Sequence, residues 1–308
     1  MPTPLNEVLR PAAIIEAPRL SRRLGATLTL VSETFQRTGS FKFRAAYHLA
    51  SKVPQRHIIT ASSGNFGQAL AYACRLLGKS CRVVMPKTSA RVKVDAVREY
   101  GGIVEEVDIA VKSRAERVAE LAAEHPDAYI ASAYDDPWVI EGNASLGEEI
   151  AALHSNFEVV IAPVGGGGLT AGLVTGLRRA GSATPVIGAE PLLGNDAARS
   201  LKAGRIVANP SEPQTLADGA RTVSLGRHNW EILHTGLSGI VEVPEAMIAE
   251  GVRLLFELAN LKAEPTGALG VAALLTEPER FRGRSVCCVI SGGNVDPEIY
   301  RKLLAVVG

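Results

Sequence analysis

The sequence predicts an α/β protein with two open parallel-sheet domains. Short apolar segments alternate with amphipathic segments over most of the chain, as expected for strands that are joined by crossover helices. A length of 308 residues and a hydrophobic content of 46% are enough for two packed cores. Several of the apolar segments end in loops rich in glycine and serine, at the edge where α/β sheets bind ligands.

Residues 56–136 are predicted to form a small α/β domain. Its predicted strands are the apolar segments HIITA, CRVVMP, GIVEEV and AYIASA. Between them lie three predicted helices: GQALAYACRLLG, SARVKVDAVREYG with Ser89 as its N-cap, and SRAERVAELAAEH. Because crossovers between parallel strands are right-handed, these helices are expected to cover both faces of the sheet.

Residues 137–308 carry a second block of the same kind. Its predicted strands are FEVVIAPV, PVIGAE and SVCCVIS, and its predicted helices include LTAGLVTGLRRAG and a segment at 252–261. Residues 1–55 hold the strand-like segment TLTLVSE and a helix that begins near Phe43, but they have no sheet of their own. We therefore expect residues 1–55 and 137–308 to form one large domain, with the small domain inserted in it.

The charge balance excludes several classes of partner. The chain has 33 basic and 32 acidic residues, and a net charge of +1 provides no field for nucleic acid or an anionic membrane. No window of about 18 uncharged apolar residues is present, and the first ten residues do not have the pattern of a secretory signal. We expect a soluble, cytoplasmic protein without nucleic-acid or membrane partners.

The cysteines and histidines give no sign of a zinc site. The cysteines form no C-x-x-C pair, and the histidines form no H-E-x-x-H motif. We expect four buried thiols in a reducing compartment, with the two adjacent ones on opposite faces of a strand. The cysteines are Cys74, Cys81, Cys287 and Cys288.

A run of four glycines is the strongest candidate for a ligand site. It lies between the predicted strand that ends at Val164 and a predicted helix that starts near Leu169. Without Cβ atoms, successive backbone N–H groups can turn toward one point, and the helix adds the positive end of its dipole. The pattern predicts a phosphate site, whereas a simple tight turn needs only one or two glycines. The run consists of Gly165, Gly166, Gly167 and Gly168.

The same run also fits a dinucleotide fingerprint. Gly166, Gly168 and Ala171 match G-x-G-x-x-A, and Glu190 closes the next predicted strand. An acidic residue at that place is typical of enzymes that bind the ribose of NAD. These residues alone leave both interpretations open.

The segment 61–68 is a second candidate loop, between a predicted strand and a predicted helix. The hydroxyls of Ser62 and Ser63 and the amide of Asn65 lie beside the free N–H groups of the helix start. Such a group can bind a carboxylate or another small anion. The alternative is that Ser63 or Asn65 only caps the helix.

Two further loops contain residues suited to a planar cofactor. Lys42 lies between Phe41 and Phe43, where burial would favour a neutral, nucleophilic amine. The alternative for Lys42 is a partly exposed surface lysine. After the last predicted strand, Ser291 precedes two glycines, and its hydroxyl could bond a ring nitrogen.

In this order, the segments TGSFKFRAA, ASSGNFGQA, PVGGGGL and ISGGN resemble the signature loops of fold-type II pyridoxal-phosphate enzymes. The threonine/serine dehydratase and serine racemase branch is the most similar, and ADG at 217–219 and EPTGA at 264–268 add to the resemblance. The resemblance implies a tryptophan synthase β-like fold with the active site in the cleft between two domains. It also implies pyridoxal 5'-phosphate as cofactor and β-elimination of L-threonine or L-serine to a 2-oxo acid and ammonia.

The resemblance assigns a role to each cofactor-binding residue. Lys42 corresponds to the lysine that binds the cofactor covalently, and Phe41 to the residue beside the ring. Asn65 corresponds to the amide at the phenolic oxygen, and Ser291 to the partner of the pyridine nitrogen. Residues 165–169, the glycine run and Leu169, correspond to the phosphate site.

The substrate and acid/base residues follow from the same resemblance. Ser62, Ser63 and Asn65 lie where the family binds the substrate carboxylate. Ser63 also corresponds to the second acid/base of the racemases, opposite Lys42. Phe66 stands where many relatives have histidine, which removes a polar group from the substrate site.

The resemblance further implies a cation site and a dimer. Glu190, Gly194 through its carbonyl, and Asp196 align with a divalent-cation site found in parts of the family. Ligation by oxygen alone is typical of Mg²⁺ or Ca²⁺. Relatives usually form homodimers, and we expect the same of this chain.

Several functional alternatives stay open at this stage. On the same scaffold the chain could be a serine racemase, a 3-hydroxyaspartate dehydratase or a β-replacement synthase. The G-x-G-x-x-A match favours an NAD-dependent dehydrogenase, but that hypothesis leaves the lysine and SGGN loops unexplained. A non-catalytic binding protein is the last alternative, and Phe66 is the residue that favours it.

Overall fold

The computed structural model of the protein describes residues 2–62, 64–89, 91–153 and 156–305. Its strands are β1 (Ala13–Glu16), β2 (Thr27–Ser32), β3 (His57–Ala61), β4 (Ser80–Pro86), β5 (Ile103–Val107), β6 (Tyr129–Ala131), β7 (Val159–Pro163), β8 (Val186–Pro191), β9 (Leu237–Val243) and β10 (Ser285–Ile290). Its α-helices are α1 (Leu5–Val8), α2 (Pro18–Leu24), α3 (Lys42–Lys52), α4 (Asn65–Leu76), α5 (Arg91–Glu99), α6 (Arg114–Glu124), α7 (Pro137–Ala152), α8 (Gly168–Arg179), α9 (Asp196–Ala203), α10 (Arg227–Gly236), α11 (Glu245–Ala259), α12 (Pro265–Thr276), α13 (Pro278–Phe281) and α14 (Pro297–Ala305).

The strands form two sheets. The larger has six strands in the order β1-β2-β10-β7-β8-β9, and the smaller has four in the order β5-β4-β3-β6. All neighbouring strands are parallel except β1, which is antiparallel to β2. This confirms the predicted α/β class with two parallel sheets.

Strand β10 shows why the inner strands are apolar on both faces. It lies between β2 and β7, and helices cover the sheet above and below. The side chain of Cys287 packs in the core on one face, and that of Cys288 in the core on the other. The predicted opposite orientation of these two thiols is confirmed, and all four cysteines are buried and free.

The contacts of helix α3 cross the predicted domain limits. The strands of the small sheet lie between residues 57 and 131, while β1 and β2 pair into the large sheet. Yet α3 packs against α4, the helix that follows β3 of the small sheet. The residues Phe43 and Leu49 of α3 share one apolar cluster with Phe66 and Leu70 of α4. The predicted limits, with residues 1–55 and 137–308 in the large domain and residues 56–136 in the small one, stay a prediction. By these limits α3 belongs to the large domain, but it packs against the small sheet's helix α4.

The candidate loops meet at the carboxyl ends of the strands. Residues 62–64 follow β3, the glycine run follows β7, and residues 291–294 follow β10. The segment before Lys42 joins the last of these through an isolated antiparallel bridge between Ser40 and Gly292. No helix in the described ranges has the length and apolar character that crossing a membrane requires.

Candidate active site

Lys42 lies at the start of α3, in the cleft between the two sheets. Its Nζ donates a hydrogen bond to the carbonyl oxygen of Ala133 (2.6 Å). The Nζ also lies 5.1 Å from the ring centre of Phe41 and 5.7 Å from that of Phe66. Burial lowers the pKa of Lys42 to about 8, although the charge of Glu264 opposes the shift. The amine therefore has the surroundings of a nucleophile rather than of a surface lysine.

The glycine run has the properties of an anion site. The N–H groups of residues 165–168 donate to no acceptor within the described ranges, and α8 starts at the end of the run. Gly167 has a left-handed φ of 95°. A Cβ atom at Gly168 would lie 2.8 Å from the carbonyl oxygen of Tyr134, and one at Gly165 would lie 2.9 Å from the Cα of Ala220. Glycine is therefore required by packing and backbone shape, and the free amides fit a phosphate.

The hydroxyl group of Ser291 is buried and has no hydrogen-bond partner among the described residues. The residue is 1% exposed, and its Oγ has no hydrogen-bond partner in the part of the chain that the structure describes. Its carbonyl oxygen accepts a hydrogen bond from the backbone N–H of Phe41 (3.0 Å), which links it to the lysine loop. Buried polar groups are rarely left unpaired in a protein. A ring nitrogen is the kind of acceptor that this hydroxyl lacks.

Asn65 is held by a chain of hydrogen bonds across the cleft. Its Nδ2 donates to the carboxyl oxygens of Glu264 at 2.8 and 3.1 Å. Its Oδ1 accepts from Nδ2 of Asn294 at 2.8 Å. The sequence pattern placed Asn65 in the site but did not predict these two partners.

The neighbours of Asn65 differ in what they can do. Ser62 Oγ accepts hydrogen bonds from the N–H groups of Gly64 (3.3 Å) and Gly67 (3.1 Å), so this side chain caps the start of α4. Ser63, the predicted acid/base, lies outside the described residues. Phe66 is buried in the apolar core beside the small sheet, and its ring is directed at Lys42.

Asn229 and Asp135 support the glycine run, and sequence reasoning missed both. The Nδ2 of Asn229 donates to the carbonyl oxygens of Gly166 (2.6 Å) and Tyr134 (3.0 Å). The carboxylate of Asp135 accepts from the first N–H groups of α10, at 2.9 and 3.0 Å. An acidic residue just before Pro137 predicts a cap for the next helix, not for a helix that lies much later in the chain.

Two ion pairs join the small-sheet helices to the segment 212–218 of the large domain. Lys93 of α5 pairs with Asp218, and Arg114 of α6 pairs with Glu212. Asp218 belongs to the ADG segment that the resemblance includes. These pairs place positive side chains on the small-domain side of the cleft.

The predicted cation site contains two buried carboxyl groups. Both oxygens of Glu190 accept N–H groups at the start of α9, from Ala197 (2.8 Å) and Ala198 (2.9 Å). Asp196 Oδ1 accepts from Asn209 (2.9 Å), and its buried Oδ2 has no partner among the described residues. Burial raises the pKa of Glu190 to about 8 and that of Asp196 to about 7. In the described ranges no three or more His, Cys, Asp or Glu side chains are placed so that together they could hold a metal ion, so the site has few protein ligands.

The surroundings of Glu190 also test the dinucleotide interpretation of the glycine run. Glu190 is 1% exposed, and both of its oxygens are occupied by backbone amides. It cannot present a free carboxylate to a ribose, as the fingerprint requires. The resemblance to a dinucleotide-binding motif therefore stops at the glycines.

Comparisons with known proteins agree with the geometry. The family described as pyridoxal-phosphate dependent enzyme matches residues 5–292. L-threo-3-hydroxyaspartate ammonia-lyase of a Pseudomonas species is 36% identical over 289 residues, which cover 92% of this chain and 90% of that protein. The structure of maize serine racemase matches with a TM-score of 0.91 and 26% identity, over 97% of this chain and 92% of that one. The crystal structure of a T.th. threonine deaminase matches with a TM-score of 0.88 and 38% identity, over 95% of each chain.

Proposed function

The chain belongs to the family of pyridoxal-phosphate dependent enzymes, and from this premise we propose that it is an ammonia-lyase for a β-hydroxy amino acid. The reaction would convert the substrate to a 2-oxo acid and ammonia. The observation that carries the proposal is the buried, unpartnered hydroxyl of Ser291, which shares the cleft with the amine of Lys42. These two groups are suited to a ring nitrogen and to a carbonyl carbon, the two ends of pyridoxal.

The residues of the cleft fit the cofactor in five places. The four free amides of residues 165–168 and the start of α8 would bind its phosphate. Ser291 would donate to the ring nitrogen, and Asn65 would lie at the phenolic oxygen. The side chain of Phe41 would flank the ring, and Lys42 would form the covalent bond.

When bound, pyridoxal phosphate supplies the electron sink that stabilises negative charge at the substrate Cα. Lys42 is the base in this proposal, because burial lowers the pKa of its amine to about 8 and leaves part of it neutral near pH 7. The substrate amine would first replace Lys42 in its bond to the cofactor, and the freed Nζ would then accept the Cα proton. The aromatic rings of Phe41 and Phe66 keep water from the amine. Ser291 is a far weaker acid than an aspartic acid, so it gives a hydrogen bond to the ring without transferring its proton.

The start of α4 is the proposed site for the substrate carboxylate. Helix starts attract anions, and Ser62 already orders this turn by accepting two of its N–H groups. Among the described residues the hydroxyl of Ser62 only accepts, so its proton would be available for a substrate oxygen. Phe66 adds no polar group here, so the carboxylate depends on backbone amides and on residues 62–65.

The choice among the hydroxy amino acid substrates rests on a relative. Lys93 and Arg114 are already paired with Asp218 and Glu212, so they give no separate support for a second substrate carboxylate. A relative named for 3-hydroxyaspartate is 36% identical over nearly its whole length. We therefore put 3-hydroxyaspartate first among the substrates to test, ahead of L-threonine and L-serine.

A cation at Glu190, Gly194 and Asp196 is part of the proposal. The Oδ2 of Asp196 has no partner among the described residues, and burial is the main cause of the raised pKa values of both carboxyl groups, so a bound positive charge would stabilise their ionised forms. Mg²⁺ or Ca²⁺ bound through oxygen would supply it. With both oxygens of Glu190 on backbone amides, water would complete the ligand shell.

The test is to measure 2-oxo acid and ammonia from the protein loaded with pyridoxal phosphate. We expect equal amounts of the two products from L-threo-3-hydroxyaspartate, and slower formation from L-threonine and L-serine. L-Aspartate is the matched control, because it lacks the β-hydroxyl that must leave. Absence of product from all three hydroxy amino acids would contradict the proposal, and chiral analysis of recovered serine separates elimination from racemisation.

A further inference from the structure

The carboxyl group of Glu264 ends a hydrogen-bonded chain that crosses the cleft through Asn65. The chain begins at the carbonyl oxygen of Thr38, which accepts from Nδ2 of Asn294 at 2.7 Å. The same Nδ2 donates to Oδ1 of Asn65, and Nδ2 of Asn65 donates to Glu264. Asn65 lies on α4 of the small domain, whereas Glu264 precedes α12 in the large one. The chain thus connects the two sides of the site.

The direction of every hydrogen bond in this chain is fixed by its two ends. A backbone carbonyl can only accept, so the group of Asn294 that faces Thr38 must be its Nδ2. The group of Asn65 that faces this Nδ2 must then be its Oδ1. The remaining group of Asn65, its Nδ2, faces Glu264, whose carboxyl group keeps an acceptor oxygen in either protonation state. Both ends therefore agree on one orientation of the Asn65 amide.

The surroundings hold the Glu264 carboxyl in place for this contact. Glu264 is 3% exposed, and its backbone N–H donates to the carbonyl oxygen of Gly292 at 3.0 Å. A Cβ atom at Gly292 would lie 2.7 Å from Oε1 of Glu264, so the glycine makes room for the carboxyl group. The two carboxyl oxygens lie at 2.8 and 3.1 Å from one nitrogen, and a buried carboxyl group is costly unless such donors satisfy it.

We propose that Glu264 is a positioning residue that sets the orientation of the Asn65 amide toward the bound cofactor. An amide nitrogen has two hydrogens, and Glu264 takes one of them. The second is then left to donate to the phenolic oxygen of the ring. The inference rests on the proposed place of Asn65 at that oxygen, and it adds the group that holds Asn65 there.

The charges around Glu264 make its ionisation sensitive to the site. Burial raises the pKa of Glu264 to about 8, and the negative charge of Asp218 adds to the rise. The hydrogen bond from Asn65 and the positive charges of Lys93 and Lys42 act in the opposite direction. These are the charged groups that act on Glu264 from α3, α5 and the ADG segment.

The test is the Glu264→Gln variant, read by the visible spectrum of the bound cofactor. Glutamine keeps one acceptor oxygen for Asn65 but places an NH₂ group where the second carboxyl oxygen lies, so a donor faces a donor there. The contact that holds the Asn65 amide in its present orientation is thereby weakened, and the negative charge of residue 264 is removed. We expect a shifted absorption maximum, a changed pH dependence of the spectrum, and roughly tenfold weaker cofactor binding.

Glu158→Gln is the matched control. Glu158 also accepts a hydrogen bond, from the backbone N–H of Ser285 at 2.8 Å, at the end of β10 that is opposite to Ser291. The control should keep the wild-type spectrum and cofactor affinity. Thermal unfolding of each variant checks that the spectral change belongs to a folded protein.

The double variant of Glu264→Gln with Asn65→Ala shows whether Glu264 acts through Asn65. If it does, Glu264→Gln shifts the spectrum in the wild-type background and adds nothing once Asn65 is alanine. Equal shifts in both backgrounds, or no shift in either, would overturn the inference. Asn294→Ala removes the other end of the chain and should shift the spectrum in the same direction, so a variant that fails to fold does not end the test.

The spectrum also separates this inference from the proposed function. If the wild-type protein forms no visible band with pyridoxal phosphate, the assignment of the site itself is wrong. If the band forms and Glu264→Gln leaves it unchanged, only the role of Glu264 is wrong.

Discussion

Lys42 and Arg44 lie two residues apart on helix α3, and they differ in how fully their positive charges are paired. Residues at this spacing project from different sides of a helix. The guanidinium of Arg44 is fully buried and bonds both oxygens of Glu33, at 2.7 and 2.8 Å. It also bonds both oxygens of Glu149, at 2.6 and 3.1 Å. The Nζ of Lys42, in contrast, donates to a single carbonyl oxygen and lies near two aromatic rings.

The pKa values of the two residues are therefore shifted in opposite directions. Burial alone would lower the pKa of Arg44, but the charges and hydrogen bonds of Glu33 and Glu149 outweigh it and raise the pKa. For Lys42 burial is the larger effect, and its pKa falls to about 8. A buried cation with complete partners stabilises the fold, whereas one with incomplete partners becomes a reactive base.

The largest expected effect is the loss of activity in Lys42→Ala. Turnover should fall by about 10²–10⁴-fold or more, because the variant lacks both the base and the covalent contact. The free energy of unfolding should not decrease, since no paired charge is lost. Lys79→Ala is the matched control, because the Nζ of Lys79 also donates to a backbone carbonyl, that of Val53 at 2.5 Å, outside the cleft. Full activity in Lys42→Ala would remove this residue from the mechanism.

The second effect is a loss of stability in Arg44→Met, by about 3–5 kcal/mol in denaturant unfolding. The variant leaves the fully buried carboxyl of Glu33 without its partner. Adding Glu33→Gln should restore part of the loss, because the second change removes the unpaired charge. Arg282→Met, which breaks an exposed pair with Glu279, should leave the stability nearly unchanged. A similar loss in both arginine variants would contradict the comparison.

The smallest expected effect is a pH dependence of stability that Lys42 has and Arg44 lacks. Folding lowers the pKa of Lys42 from 10.5 to about 8, so between these values the unfolded chain binds more protons than the folded one. The unfavourable contribution of the buried ammonium is full below pH 8 and disappears as the pH rises toward 10.5. Without cofactor, the wild-type protein should therefore gain stability relative to Lys42→Met over that range. Parallel stability curves would show that the amine titrates normally.

Much of the fold could be predicted because its signals are local. Strands β3, β4, β7 and β10 are short apolar segments that end at glycine, serine or proline, and the helices between them are amphipathic. Helix α12 was not predicted, because it is buried nearly all around and shows no helical period in its hydrophobicity. The edge strands β1 and β9 were also not predicted. Each pairs with one strand only, β1 with β2 and β9 with β8, and its residues are less completely buried than those of the inner strands, so its apolar pattern is weaker.

The residues of the candidate site also divide into those that a local sequence pattern predicts and those that it does not. Lys42, the glycine run and Ser291 follow from motifs whose residues are adjacent in the sequence. Asn229 and Glu264 act on residues far away in the chain, and no local pattern indicates those contacts. The packing of α3 with the small sheet could not be predicted either, because its apolar residues could pack in the core of either sheet.

The position of β10 has a consequence for how the protein is made. This strand separates β2 from β7 in the large sheet, yet it follows all the other described strands in the chain. The small sheet comes from one continuous stretch and can form while the ribosome is still translating. The large sheet must wait for residues 285–290, so newly made chains will hold a finished small sheet beside an unfinished large one, which is the species that chaperones would encounter.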